Sequence, residues 1–159
     1  MGGSAVTTNV DLINAAARNN ISLVGVFFKD QLPKEVRPGG YVINLSDSDQ
    51  GEGTHWTAAW VEDGKVVYFD PFGIGPPENV KRFFWTLDKT IDYNKKTIQN
   101  IESFICGYYV LYFLWYMSRS CRFQKDMNIH QRFKNFQRLW SEDVEDNRKL
   151  LEKYIRCLR

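Results

Sequence analysis

The chain is short of the residues that most often build metal sites and covalent frameworks. It has only two histidines and three cysteines in 159 residues. Cys106, Cys121 and Cys157 form an odd set with no Cys-x-x-Cys spacing, which argues against a disulfide framework and a structural zinc site. Charge of one sign is lacking too: 21 Lys and Arg against 19 Asp and Glu leave a formal net charge of +2, too little to name a partner. No apolar run reaches the roughly 20 residues that span a bilayer. The longest, around residues 104–117, is interrupted by Cys106-Gly107 and by tyrosines. No signal-peptide pattern precedes it, so the expectation is a soluble chain in a reducing intracellular setting, with no membrane partner. Repeats, low-complexity tracts and linkers are missing as well, and the length suits one core, so residues 1–159 read as a single domain.

What is abundant is aromatic surface. Phe, Tyr and Trp make up 15% of the chain and apolar residues 43%, far too much for a disordered polymer. Leu12, Ile13, Ala16 and Ala17 give a short helix over residues 8–20, with Asn9 and Asp11 as its caps. Turns follow at Lys29 to Pro33 and at Arg37-Pro38-Gly39-Gly40, where Pro and paired Gly disfavour continued strand. Strands are expected over Tyr41 to Leu45, Thr54 to Glu62 and Lys65 to Phe69, the last two joined by an Asp63-Gly64 hairpin turn. Both are apolar at nearly every position, which suits the middle of a sheet covered on two faces. Pro77 opens a helix through Leu87, Lys95 to Gln99 forms a further strand, and a helix apolar nearly all round runs from Phe104 to Arg119 as the buried centre. More helix follows, with Leu150, Leu151, Tyr154 and Ile155 on one face. The pattern is α+β: a small mixed sheet packed on a buried helix, with additional C-terminal helices.

One segment is basic. Arg119, Arg122, Lys125, Arg132, Lys134 and Arg138 are interleaved with Phe123, Phe133, Phe136 and Trp140, with Asp126 the only acid among them. Such a set suits nonspecific contact with DNA phosphates, and equally a solvated helix face whose aromatics belong to the core.

The chemistry-bearing residues sit at element ends. A thiol nucleophile needs a helix N-terminus or a nearby imidazole to favour the thiolate, a base, a group that orients the base, and donors for a developing oxyanion. Cys106 opens the buried helix and is followed by Gly107, which leaves room for a substrate backbone. Cys121 and Cys157 have no comparable setting. His55 begins a central strand, whereas His130 lies in the basic segment without nearby partners. Asp70 closes the adjacent strand, and turning at Asp63-Gly64 places it across the hairpin from His55, to within a residue or two. Gln99 precedes Cys106 and offers an amide for an oxyanion, beside the Cys106 backbone N–H.

These residues carry a resemblance. The stretches GTHWTAAWVEDGKVVYFDPFG and IQNIESFICGYYVLYFL are similar to the adenovirus-type maturation protease, adenain, and to the wider superfamily that includes the SUMO-specific proteases. The shared pattern is His-Trp at a strand start, an acid at the end of the next strand, and a Gln upstream of a Cys-Gly that opens a helix. GVFFKDQLP also resembles a segment near the start of adenain, and DPFG resembles its EPFG. The specific match covers Gly25 to Leu114, and the order His before Cys is opposite to that of the papain-like proteases.

The resemblance implies a cysteine endopeptidase domain with Cys106 as nucleophile, His55 as base and then acid, Asp70 orienting His55, and Gln99 in the oxyanion hole. Trp56 and Gly107 would wall a narrow channel selective for glycine, with Gly51 and Gly53 on its rim. Cleavage after glycine in Gly-Gly-X or Gly-X-Gly sites of viral structural proteins is then expected from a monomer, in the virion or an infected cell. The alternatives are an isopeptidase acting on the tail of a ubiquitin-like modifier, or an inactive nucleic-acid-binding capsid module. No metal or cofactor is required. DNA or a noncovalently bound peptide remains open as an activator, whereas a disulfide-tethered peptide does not suit a chain with no cysteine before Cys106.

Overall fold

The computed structural model describes residues 8–46, 49, 55–100 and 105–158. The first helix, α1 (Asn9–Arg18), starts one residue earlier than the expected caps: Thr8 is the N-cap, and its hydroxyl and the Asp11 carboxylate each accept the other's backbone N–H. That reciprocal pair satisfies two donors the helix itself leaves open. Strand β1 (Leu23–Phe28), which the sequence pattern does not announce, follows, then β2 (Gly39–Asn44). The paired glycines lie inside β2 for different reasons: Gly39 holds φ 122° with its Cβ position 2.9 Å from the Ser22 carbonyl oxygen, and a Cβ on Gly40 would stand 2.9 Å from the Leu114 side chain.

β3 (Trp56–Glu62) and β4 (Lys65–Phe69) form the expected hairpin, turning on Asp63 and Gly64 at φ 51° and 71°. Helix α2 (Glu78–Trp85) comes next, with Pro77 as its N-cap. The last strand is β5 (Asp92–Tyr93), not Lys95 to Gln99. Residues 94–99 instead lie as a strap along the loop after β4, where the N–H groups of Ile98 and Gln99 both donate to the Pro71 carbonyl. Two donors on one carbonyl cannot continue a ladder.

The sheet order is β1-β2-β3-β4-β5, parallel at each edge and antiparallel through the middle, so it is mixed as expected. Alternation in the central strands sends Val42, Ala58, Trp60, Val67 and Phe69 to one face. There they meet the central helix α3 (Cys106–Phe123) and helix α4 (Ile129–Gln137), while helix α5 (Val144–Ile155) packs against α3. Tyr41, Ile43, Ala59, Val61, Val66 and Tyr68 turn to the other face and meet Val80 and Phe84 of α2. Both faces are therefore covered, which explains the unbroken apolar runs. Aromatic contacts concentrate under α3: Phe113 packs against Phe69, Phe133 and Phe136 at ring-centroid distances of 5.0, 5.7 and 5.3 Å. No described helix is long and apolar enough to cross a membrane. The expected helix start at Phe104 and the rim glycines Gly51 and Gly53 lie outside the described residues.

Candidate active site

Cys106 is the first residue of α3. The N–H groups of a first helical turn have no partner within the helix and carry the positive end of its dipole, so they suit an anion. The thiol is buried, with 3% of the residue exposed, and its sulfur accepts the backbone N–H of Trp56 at 3.4 Å. That contact ties the helix start to the start of β3, and a donor aimed at the sulfur suits a thiolate.

His55 stands directly before β3. Its Nε2 lies 2.7 Å from Oδ1 of Asp70, the residue that directly follows β4. A carboxylate only accepts, so Nε2 carries the proton and donates it. Nδ1 is thereby left buried and without a hydrogen bond at ordinary distance. Burial pulls the imidazole pKa down, but hydrogen bonding and charge from Asp70 and Cys106 outweigh it and push the pKa up to about 9. The protonated ring is the favoured form near neutrality, which is what an imidazolium beside a thiolate requires.

The ladder between β3 and β4 ends at Ala58 opposite Phe69, so neither His55 nor Asp70 is part of it. The two side chains meet across the open end of the hairpin, where the loop Asp70-Pro71-Phe72-Gly73 turns back. Phe72 donates its N–H to Asp70 Oδ1 at 2.8 Å and stacks its ring on the His55 imidazole, with centroids 4.0 Å apart and planes 3° apart. Gly73 donates its N–H to the Asp70 carbonyl at 2.8 Å and holds φ 76°. A Cβ there would stand 2.7 Å from the Lys96 carbonyl carbon, so the strap presses on this loop too closely for any side chain. Phe72 carries no sequence signal beyond its place in the DPFG stretch.

Gln99 is buried, with 1% exposed, and its backbone N–H donates to the Pro71 carbonyl at 3.0 Å. With Ile105 and Tyr109 it lines a cleft of about 150 Å³ beside the start of α3. Trp56 and Gly107 flank Cys106, but both are buried, and Trp56 is packed into the core at 6% exposure. Cys121 and Cys157 are exposed. His130, expected without partners, lies 3.4 Å from the Asp92 carboxylate through Nδ1.

The basic segment does not form one surface. Arg132 is 1% exposed, and its guanidinium is spent inside the protein: a bidentate pair with Glu62, Nε to Ser120 Oγ at 2.9 Å, and Nη2 to the Met117 carbonyl at 2.9 Å. It joins the end of β3 to α3 and α4, and it leaves the set of residues able to meet phosphate. Arg119 lies over the Trp115 ring and donates to the Asn19 carbonyl. Arg122, Lys125, Lys134 and Arg138 remain exposed. Among the described residues no cluster of His, Cys, Asp and Glu suits a metal ion.

No protein-family model matches the chain, and no curated protein does. Solved structures give weak likenesses. The crystal structure of the ASFV pS273R protease aligns over 76% of this chain and 42% of its own, at 16% identity and a TM-score of 0.40. Its selenomethionine form gives 77%, 46%, 18% and 0.41 in the same order. The SUMO protease Ulp1, with its catalytic cysteine oxidized to a sulfenic acid, gives 74%, 53%, 12% and 0.34. The chain thus spans about half, or less, of the length of the structures it matches.

Proposed function

We propose that the chain is a cysteine endopeptidase in which His55, Asp70 and Cys106 act together. The observation that carries this reading is the 2.7 Å bond from His55 Nε2 to Asp70, which fixes the ring with Nδ1 free for the thiol at the start of α3. The Cys106 thiolate attacks the scissile carbonyl, forming a carbon–sulfur bond. The oxyanion is held by first-turn N–H groups of α3 and by Gln99. The carbon–nitrogen bond breaks as Nδ1 of the imidazolium gives its proton to the leaving amine. Water, deprotonated by the now neutral ring, then hydrolyses the thioester and frees the thiolate.

The preferred substrates are glycine-containing sites, Gly-Gly-X or Gly-X-Gly, in viral structural proteins. The support is the His-Trp, Asp, Gln, Cys-Gly pattern and its similarity to adenain, together with the small Gly107 beside the nucleophile. Incubation with a Gly-Gly-X peptide should give cleavage after glycine, and Cys106→Ala should abolish it while the circular dichroism spectrum stays that of the parent. Undiminished cleavage by Cys106→Ala would overturn the reading.

A further inference from the structure

Asn94 is a buried polar residue, 0% exposed, that the proposed chemistry does not use. Its carboxamide bonds to the backbone of Asp70 on both sides: Oδ1 accepts the Asp70 N–H at 3.0 Å, and Nδ2 donates to the Asp70 carbonyl at 2.6 Å. Nδ2 also donates to the Lys96 carbonyl at 3.2 Å. The arrangement has one sense only, since a flipped amide would set its oxygen against two carbonyls and its NH₂ against an N–H. An amide is the group that offers an acceptor and two donors from a single short side chain. Ser offers less reach, and Asp has no donor when ionised.

Those bonds connect two parts of the site. Asp70 follows the end of β4, where no further ladder bond holds its backbone. Asn94 supplies the missing pair from the strap, in the position a neighbouring strand would occupy. The same strap presses on Gly73 through Lys96, donates Thr97 Oγ1 to the Phe72 carbonyl at 3.1 Å, and ends in Ile98 and Gln99 on the Pro71 carbonyl. The acid that aims His55 and the amide assigned to the oxyanion are thus two ends of one short, internally bonded unit.

We propose that Asn94 is a positioning residue that sets the Asp70 carboxylate against His55 and, through the strap, fixes Gln99 relative to Cys106. It acts through other residues and touches no reacting atom. This inference rests on the reading of His55, Asp70 and Cys106 as a catalytic group, but its consequence for the His55–Asp70 pair is measurable without any substrate. Among the described residues the titratable groups acting on His55 are Asp70, after β4, and Cys106, in the first turn of α3.

The test uses the full chain with Asn94→Ala, the near-isosteric and uncharged Asn94→Leu, which loses the acceptor and both donations without adding charge beside Asp70, and Thr97→Val as a control that loosens the strap elsewhere. The His55 titration midpoint is read by NMR, kcat and KM on a Gly-Gly-X peptide, and folding by thermal melting. The Asn94 variants should fold, lower the His55 midpoint by about one pH unit or more, and lose at least about tenfold in kcat with KM nearly unchanged. Thr97→Val should keep the parent midpoint. A folded Asn94 variant with the parent midpoint overturns the proposal, and so does loss of folding in both, since Asn94 would then hold the domain together rather than the pair. If the parent peptide is not cleaved, the proteolytic reading fails, while the His55 midpoints still decide the role of Asn94.

Discussion

His55 and Phe72 lie face to face, their ring planes 3° apart at 4.0 Å, while the backbone N–H of Phe72 donates to the same Asp70 oxygen that accepts the His55 Nε2–H hydrogen bond. One residue therefore braces both members of the pair. Phe72→Ala would leave one side of the imidazole open to water and free to tilt, and displacement of a reacting group by about 1 Å costs up to about a hundredfold. The expected result is a fall of roughly tenfold or more in kcat, with little change in KM. Phe72→Tyr, which preserves the stack, should stay near the parent. Steady-state kinetics on the three proteins checks this, and a Phe72→Ala enzyme with parental kcat would show the stack to be incidental.

The Asp70 carboxylate should be visible in the pH dependence. His55 titrates near 9 in the folded chain against an ordinary value of 6.5, so the protonated ring stabilises the fold fully below pH 6.5 and this contribution is lost as pH rises through about 9. By linkage it amounts to about 3 kcal/mol at most. The alkaline limb of kcat/KM should likewise lie near 9, because acylation needs the imidazolium as acid. In Asp70→Asn the charge is gone and burial remains, so the limb should move down towards 6.5. An alkaline limb that does not move would mean that Asp70 does not control the base.

Gly73 tests the fit between loop and strap. Gly73→Ala meets both a positive φ of 76° and an approach of 2.7 Å to Lys96. Unfolding in urea should show a loss of about 1–3 kcal/mol, and the remaining folded enzyme should turn over more slowly because Asp70 and Gln99 are both attached to the displaced segment. Full stability and full activity together would contradict the packing described.

Arg132 should matter for stability and not for nucleic acid. Arg132→Ala removes the buried guanidinium that bonds Glu62, Ser120 and the Met117 carbonyl and should cost about 1–3 kcal/mol; pairing Arg132→Met with Glu62→Leu should recover much of that. Burial raises the Glu62 pKa, but hydrogen bonds from Arg132 and Trp60 outweigh it and hold the group below the usual carboxylate value. The stabilisation is thus present above the ordinary Glu pKa and fades as pH falls through the lowered one. Denaturant melts from pH 3 to 7 check the sign, and a stability gain on acidification would refute it.

Much of this site is legible in the sequence because its parts sit where strong local signals end. Asp63-Gly64 fixes the hairpin, so His55 and Asp70 can be brought together by counting, and Cys106-Gly107 marks the start of an all-apolar helix. The counting misses that both residues stand beyond the last ladder pair, which is why a loop residue, Phe72, completes the contact. β1 is hidden because every one of its residues is only half-buried, so it shows neither a continuous buried run nor clean alternation. β5 has two residues and no pattern at all. Arg132 reads as surface charge because pairing with Glu62 on β3 is decided by tertiary packing, and Asn94 is silent because a side chain that bonds only to backbone demands nothing of its partner's identity.

The three cysteines allow the central claim to be tested in one experiment. Cys106 is 3% exposed, whereas Cys121 and Cys157 are exposed, so accessibility alone would direct an electrophile away from Cys106. A peptide ending in Gly-Gly and carrying a thiol-reactive group in place of the scissile bond should nevertheless modify Cys106 alone, located by mass spectrometry, and His55→Ala should abolish that modification. Labelling that follows exposure, at Cys121 and Cys157 with Cys106 untouched, would contradict the assignment of Cys106 as the nucleophile.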